Sequence, residues 1–174
     1  MTAVARASTG QGGALESRAW DALAEVEDPE IPVLSVVDLG VIRHVRATGA
    51  VCIEVGLAPT YSGCPATEVI RANVSAALAS AGFAPVEVVE VLSPPWTSDW
   101  ISAAGRDKLE RYGIAPPAQA VNSPRQIGRP AVAVRCPRCG SSRTPETSHF
   151  GSTPCKALHR CEDCLEPFEA FKCI

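Results

Sequence analysis

Eight cysteines are distributed along this chain, and they fall into different chemical settings. Cys136-Pro137-Arg138-Cys139 and Cys161-Glu162-Asp163-Cys164 are two C-x-x-C pairs separated by 21 residues. One tight turn can present two thiolates to a single ion, and two such turns complete a tetrahedral shell. The separation slightly exceeds the roughly 15–20 residues usual for this pattern, which a longer hairpin absorbs. Soft thiolate donors in tetrahedral array favour zinc, and a rubredoxin-like iron would use the same four ligands. A closed all-thiolate shell has no open position for catalysis, so the expected role is structural. A stretch of about 40 residues buries too little core to fold unaided, and the metal supplies the missing free energy.

Cys64 is set differently. It lies in Tyr61-Ser62-Gly63-Cys64-Pro65, immediately before a segment with helical periodicity. The unpaired N–H groups and positive dipole end of a helix start should favour its thiolate. Reactive and metal-binding cysteines occupy such places, although a plain N-cap role fits the same residues. Cys52 alternates with apolar residues and reads as a sheet spectator. Cys155, Cys173, His149 and His159 lie within or beside the C-x-x-C region, where local packing is the simpler role and a labile second thiol site the other. Asp28, Glu30 and Asp38 sit in one early loop, where carboxylates ordinarily cap turns. Only a return of that loop to Cys64 would give them a functional role. Trp96 and Trp100 flank Pro94-Pro95 and read as packing residues.

The elements that must position these residues follow from periodicity. Residues 1–14 read as a disordered leader. Leu15, Ala19, Leu23 and Val26 have helical spacing, and Asp28-Pro29 ends that helix. Val41–Ala47 and Val51–Leu57 are rich in β-branched residues around Thr48-Gly49-Ala50, the pattern of a hairpin. A helix is expected from Pro65 to Ser80, with Ile70, Val74, Ala77, Leu78 and Ala81 on one face and Gly82 at its end. Val86–Leu92 reads as a third strand, and Ser98 as the cap of a last helix reaching Tyr112-Gly113. Residues 115–131 read as a proline-rich linker. The expected fold is α+β: a small three-stranded sheet with packed helices over 15–114, then a zinc β-ribbon over 132–174.

The net charge of −3 gives no basic surplus for a phosphate backbone, so no nucleic-acid partner is expected. No secretory apolar run opens the chain, and no stretch approaches the roughly 18 apolar residues of a membrane span. A cytoplasmic setting is expected, where thiols stay reduced. No P-loop, no G-x-G-x-x-G and no helix-borne Glu with Glu-x-x-His pairs are present.

Three stretches carry a resemblance. DPEIPVLSVVDLGVI at 28–42, PTYSGCPATEVI at 59–70 and SPPWTSDWISAAGRDKLERYGI at 93–114 resemble the iron–sulfur cluster assembly domain. CPRCGSSRT at 136–144 and HFGSTPCKALHRCEDCLEPFEAFKCI at 149–174 extend the likeness to the PaaD family, which is associated with phenylacetyl-CoA epoxidase. The resemblance implies an accessory role beside a di-iron oxygenase component and a reductase carrying flavin and an iron–sulfur cluster. It implies that Cys64 is a transient ligand for iron or a cluster; Cys155 and Cys173, by their place in and beside the ribbon, are secondary candidates. It also makes a homodimer an expectation, together with the strand edges of a small sheet. Two rivals stay open: a structural adaptor in which Cys64 only caps a helix, and a redox component with iron in the ribbon.

Overall fold

The computed structural model describes residues 11–61, 63–118 and 134–174. Most of the expected leader and linker lies outside them. The described residues group into two compact units. One holds the chain up to Pro59 with Gly63–Pro95, and the other holds Trp96–Ile174 with the short stretch from Thr60. No helix among the described residues is long and apolar enough to cross a membrane.

In the first unit, helix α1 (Gln11–Ala24) begins earlier than its apolar periodicity suggests. Its buried residues Ala19 and Leu23 sit one turn apart and face the core. Strands β1 (Ile42–Ala47) and β2 (Ile53–Leu57) form the expected antiparallel hairpin, and β3 (Val86–Glu90) joins β2 in parallel. Ile53, Val55 and Leu57 are at most 1% exposed, so one face of β2 is wholly core, as its alternation requires. Helix α2 (Ala66–Ser80) buries Ala66, Ile70, Val74 and Leu78, while Ala77 and Ala81 lie only partly buried beside this stripe.

The opposite sheet face is partly polar. His44 there lays its ring over the bare backbone of Gly56 and meets Glu54 at 3.1 Å, and Arg46 meets the same carboxylate at 3.3 Å. A Cβ on Gly56 would lie 2.2 Å from the His44 ring, so only glycine permits this approach.

Both sheet edges carry a helix-borne side chain. The Ala47 N–H, turned away from β2, donates to Glu16 of α1 at 3.3 Å. Val91 N–H donates to Leu57 O and Ile53 N–H to Pro85 O, which turns Val88 to the outer edge of β3. Arg71 of α2 donates to that Val88 carbonyl at 2.6 Å. Covered edge groups offer a poorer template for strand addition than the open edges expected from sequence.

The second unit begins at Trp96. A 3-10 turn (Ser98–Trp100) precedes helix α3 (Ala103–Tyr112). The cap is Ser102, whose Oγ accepts from Gly105 N–H at 2.8 Å, and not Ser98; Ile101 is extended and separates the two elements. Gly113 closes α3 at φ 97°, a left-handed conformation suited to glycine. Strand β4 (Ile114–Ala115) then pairs in parallel with β7 (Pro167–Phe171), which continues through β6 (Lys156–Arg160) to β5 (Glu146–Ser148). The boundary drawn at residue 114 therefore cuts through one unit. Ile114-Ala115 are a strand of the ribbon's sheet, the Trp96 ring packs tilted against Phe171 with centroids 6.0 Å apart, and Thr97 and Ser98 both donate to Ile174 O.

Candidate metal centre

The two C-x-x-C turns face each other across the ribbon. Backbone bonds shape each one. Gly140 N–H donates to Cys136 O and Cys136 N–H to Ser141 O, both at 2.9 Å, while Cys161 N–H donates to Glu166 O at 3.0 Å. Each turn leaves through a left-handed residue, Gly140 at φ 75° and Leu165 at φ 65°. Leucine is uncommon there.

The geometry gathers Cys136, Cys139, Cys161 and Cys164 so that all four Sγ atoms lie within 4.8 Å of one another. Cys136 and Cys164 approach to 3.7 Å, and Cys139 and Cys161 to 3.5 Å. A tetrahedron with metal–sulfur bonds near 2.3 Å has edges of about 3.8 Å, so the four sulfurs fit one ion with little adjustment. Cys136 and Cys161 are buried, and their small core is completed by Ala115, Phe168 and Ala170. Two of those five residues are thiols of the cluster, so the core and the metal site are one structure.

Without a cation the clustered thiols do not ionise alike: Cys161 is drawn down while Cys139 and Cys164 are pushed up. The Cys164 N–H, with help from neighbouring sulfurs and against desolvation, draws the Cys161 thiol down to about 7. At Cys164 the Glu166 N–H pulls downward, but desolvation and the other three sulfurs outweigh it and push the thiol up to about 12. At Cys139 the Ser141 N–H likewise pulls down and is outweighed by the Cys161 sulfur and desolvation. One thiolate forms readily and the next is resisted. A divalent cation removes that resistance.

Among the described residues, no other group of three or more histidines, cysteines or carboxylates is arranged to hold an ion. Cys155 is buried with its sulfur 3.1 Å from Thr153 Oγ1, and the exposed Cys173 directs its thiol to Ala118 O at 3.8 Å. His159 is buried, 2.9 Å from Thr144 O, and stacks on Phe168. His149 lies beside Glu146 at 3.3 Å and meets the Phe150 ring edge-on. The Cys52 thiol points to Ala84 O, at 3.6 Å.

Cys64 belongs to the first unit, partly buried, one residue before the Pro65 cap of α2. The helix-start N–H groups of Ala66 and Thr67 do lower its thiol, as the sequence suggests. Burial is the larger effect, and the carboxylates of Glu30 and Asp28 add to it, so the thiol is shifted upward. The expected bias toward thiolate is thus reversed. The early loop does return to Cys64. Asp28, only 5% exposed, accepts from the N–H groups of Glu30 and Ile31 at 2.9 and 2.8 Å and so fixes the turn that carries Glu30. Asp38 makes a reciprocal turn with Ser35.

Residues 16–92 match the family described as iron–sulfur cluster assembly protein, and residues 120–172 the PaaD zinc beta ribbon domain. An Escherichia coli protein provisionally named as a subunit of 1,2-phenylacetyl-CoA epoxidase is 49% identical over 160 residues, covering 89% of this chain and 91% of that one. This chain belongs to the PaaD family. A Bacillus subtilis protein named Fe-S protein maturation auxiliary factor YitW is 34% identical over 100 residues, covering 57% of this PaaD-family chain and 89% of its own. A crystal structure of a domain of unknown function from Bacillus anthracis overlays with a TM-score of 0.53 at 27% identity, covering 56% of this chain and 93% of that domain. Residues 93–119 fall between the two family matches, and most of this stretch packs with the ribbon.

Proposed function

We propose that this PaaD-family chain is a non-catalytic accessory factor in phenylacetyl-CoA epoxidation that helps mature or repair a metal centre of the epoxidase. In this reading Cys136, Cys139, Cys161 and Cys164 hold one structural zinc, and Cys64 is a transient ligand for iron or an iron–sulfur cluster as cargo. The client is the oxygenase or the reductase component. The relatives named for phenylacetyl-CoA epoxidase and for Fe-S protein maturation support the two halves of this reading.

The observation that carries it is the surroundings of Cys64. A partly buried thiol that is not one of the four clustered sulfurs feels two helix-start N–H groups, of Ala66 and Thr67, and the carboxylates of Glu30 and Asp28. The carboxylates disfavour a bare thiolate and favour a bound cation, so the thiol ionises when metal arrives. The same upward shift favours a second reading, a structural adaptor in which Cys64 stays protonated. Cys64→Ser separates the two. Expressed in a strain lacking this protein, a folded Cys64→Ser chain should fail to restore epoxidase activity. Full restoration would support the adaptor.

A further inference from the structure

The two cysteine turns are joined by more than their sulfurs. Asp163 lies between Cys161 and Cys164 in the second turn, and Ser141 and Arg143 follow the first. The Arg143 guanidinium grips the Asp163 carboxylate with two nitrogens, Nη2 on Oδ1 and Nε on Oδ2 at 3.3 Å. Ser141 Oγ donates to the same Oδ2 and accepts from Arg143 N–H at 3.0 Å. Two backbone bonds continue the path, Glu162 N–H to Arg143 O and Cys136 N–H to Ser141 O, both at 2.9 Å. A continuous polar route therefore runs from Cys136 to the second turn without using a cysteine side chain.

We propose that Arg143, Asp163 and Ser141 form a metal-independent clamp that holds the two cysteine turns face to face and slows release of the bound ion. Isolated exposed ion pairs contribute little, but a two-pronged arginine–carboxylate contact shared with a hydroxyl is the favourable exception. Release of an ion from four thiolates begins when one turn swings away from the other. The clamp opposes that first opening. Arg143 and Asp163 are positioning residues that touch the ligands' turns and leave the ion to the sulfurs. Their side chains are 63% and 40% exposed, so dissolved salt reaches the contact and weakens it.

This inference rests on the four-thiolate reading of the centre. The test loads full-length protein with one equivalent of zinc and follows its transfer to a chromogenic chelator, for wild type, Asp163→Asn and Arg143→Lys. Partners outside the ligand set typically change metal affinity by about 10-fold or more, so Asp163→Asn should release zinc about 10-fold faster than wild type. Arg143→Lys keeps the charge, loses the fork and should fall between them. Raising salt should speed release from wild type and leave Asp163→Asn unchanged, which a purely local folding defect would not produce. Should Asp163→Asn fail to fold, the same two readings on Arg143→Lys decide. Zinc bound by all three proteins and released at one rate with one salt dependence overturns the clamp and leaves the centre intact. Wild-type protein that takes up no zinc overturns both.

Discussion

Metal uptake by the four-cysteine centre must expel protons, and the number expelled counts the ligands. Cysteine thiols ordinarily titrate near about 8.5, so at pH 6 an incoming divalent ion displaces about four protons from four sulfurs. The Cys161 thiol is held down to about 7, and above that pH it is already ionised before metal arrives. The count should therefore fall from about four toward about three as pH rises through about 7. Each displaced proton makes apparent affinity change about 10-fold per pH unit, so between pH 5 and 6 zinc should bind about 10,000-fold more tightly at the upper end. Competition against a chelator of known pH dependence measures the slope. Calorimetry in two buffers of different ionisation enthalpy counts the protons directly. Cys161→Ser should lower the count at pH 6 by about one and remove the break near pH 7. A count of two or fewer for wild type would mean that only one cysteine turn binds, and the single four-sulfur site would be refuted.

Two further outcomes test the frame around the sites. Gly56→Ala places a Cβ 2.2 Å from the His44 ring and must displace it from Glu54. Overpacking of about 1–3 kcal/mol and a lost half-exposed contact of about 1 kcal/mol, offset by about 0.5–1 kcal/mol from a less flexible unfolded chain, leave a net loss of about 2 kcal/mol. Urea unfolding would show this, with Gly56→Ala/His44→Ala recovering part of it; an unchanged midpoint for Gly56→Ala would contradict the close approach. Arg71→Ala uncovers the outward Val88 carbonyl of β3, and light scattering should detect concentration-dependent association beyond that of wild type. Equal masses for both proteins would remove the guarding role from Arg71.

The parts of this molecule legible from sequence are those written by local spacing. Two C-x-x-C pairs needed only a hairpin to bring them together, and the four sulfurs do meet. The alternation of Ile53, Val55 and Leu57 and the four-residue spacing of Ile70, Val74 and Leu78 identified the buried faces directly. What escaped was set by distant partners or by weak local signals. Ile114-Ala115 has too little pattern to declare a strand, and its partner in β7 lies more than fifty residues away. The start of α1 at Gln11 runs through Gly12-Gly13, poor helix formers whose propensity argues against a helix there. Ser98 and Ser102 are equally good caps by type, and only the extended Ile101 decides between them. The direction of the Cys64 shift depended on burial and on Glu30 and Asp28, none of which the helix-start rule contains. Asp163 and Arg143 were visible as an acid inside one cysteine turn and a base just beyond the other, but their pairing required the fold.

In the proposed function one chain holds a structural metal in its ribbon and handles a second metal at Cys64. The most direct test is elemental analysis with an absorbance spectrum on wild type and Cys64→Ser, both purified without air. One zinc per chain is expected in both proteins, and iron or a visible chromophore in wild type alone. One zinc, no iron and identical spectra for the two proteins would contradict the Cys64 role and leave the ribbon centre standing.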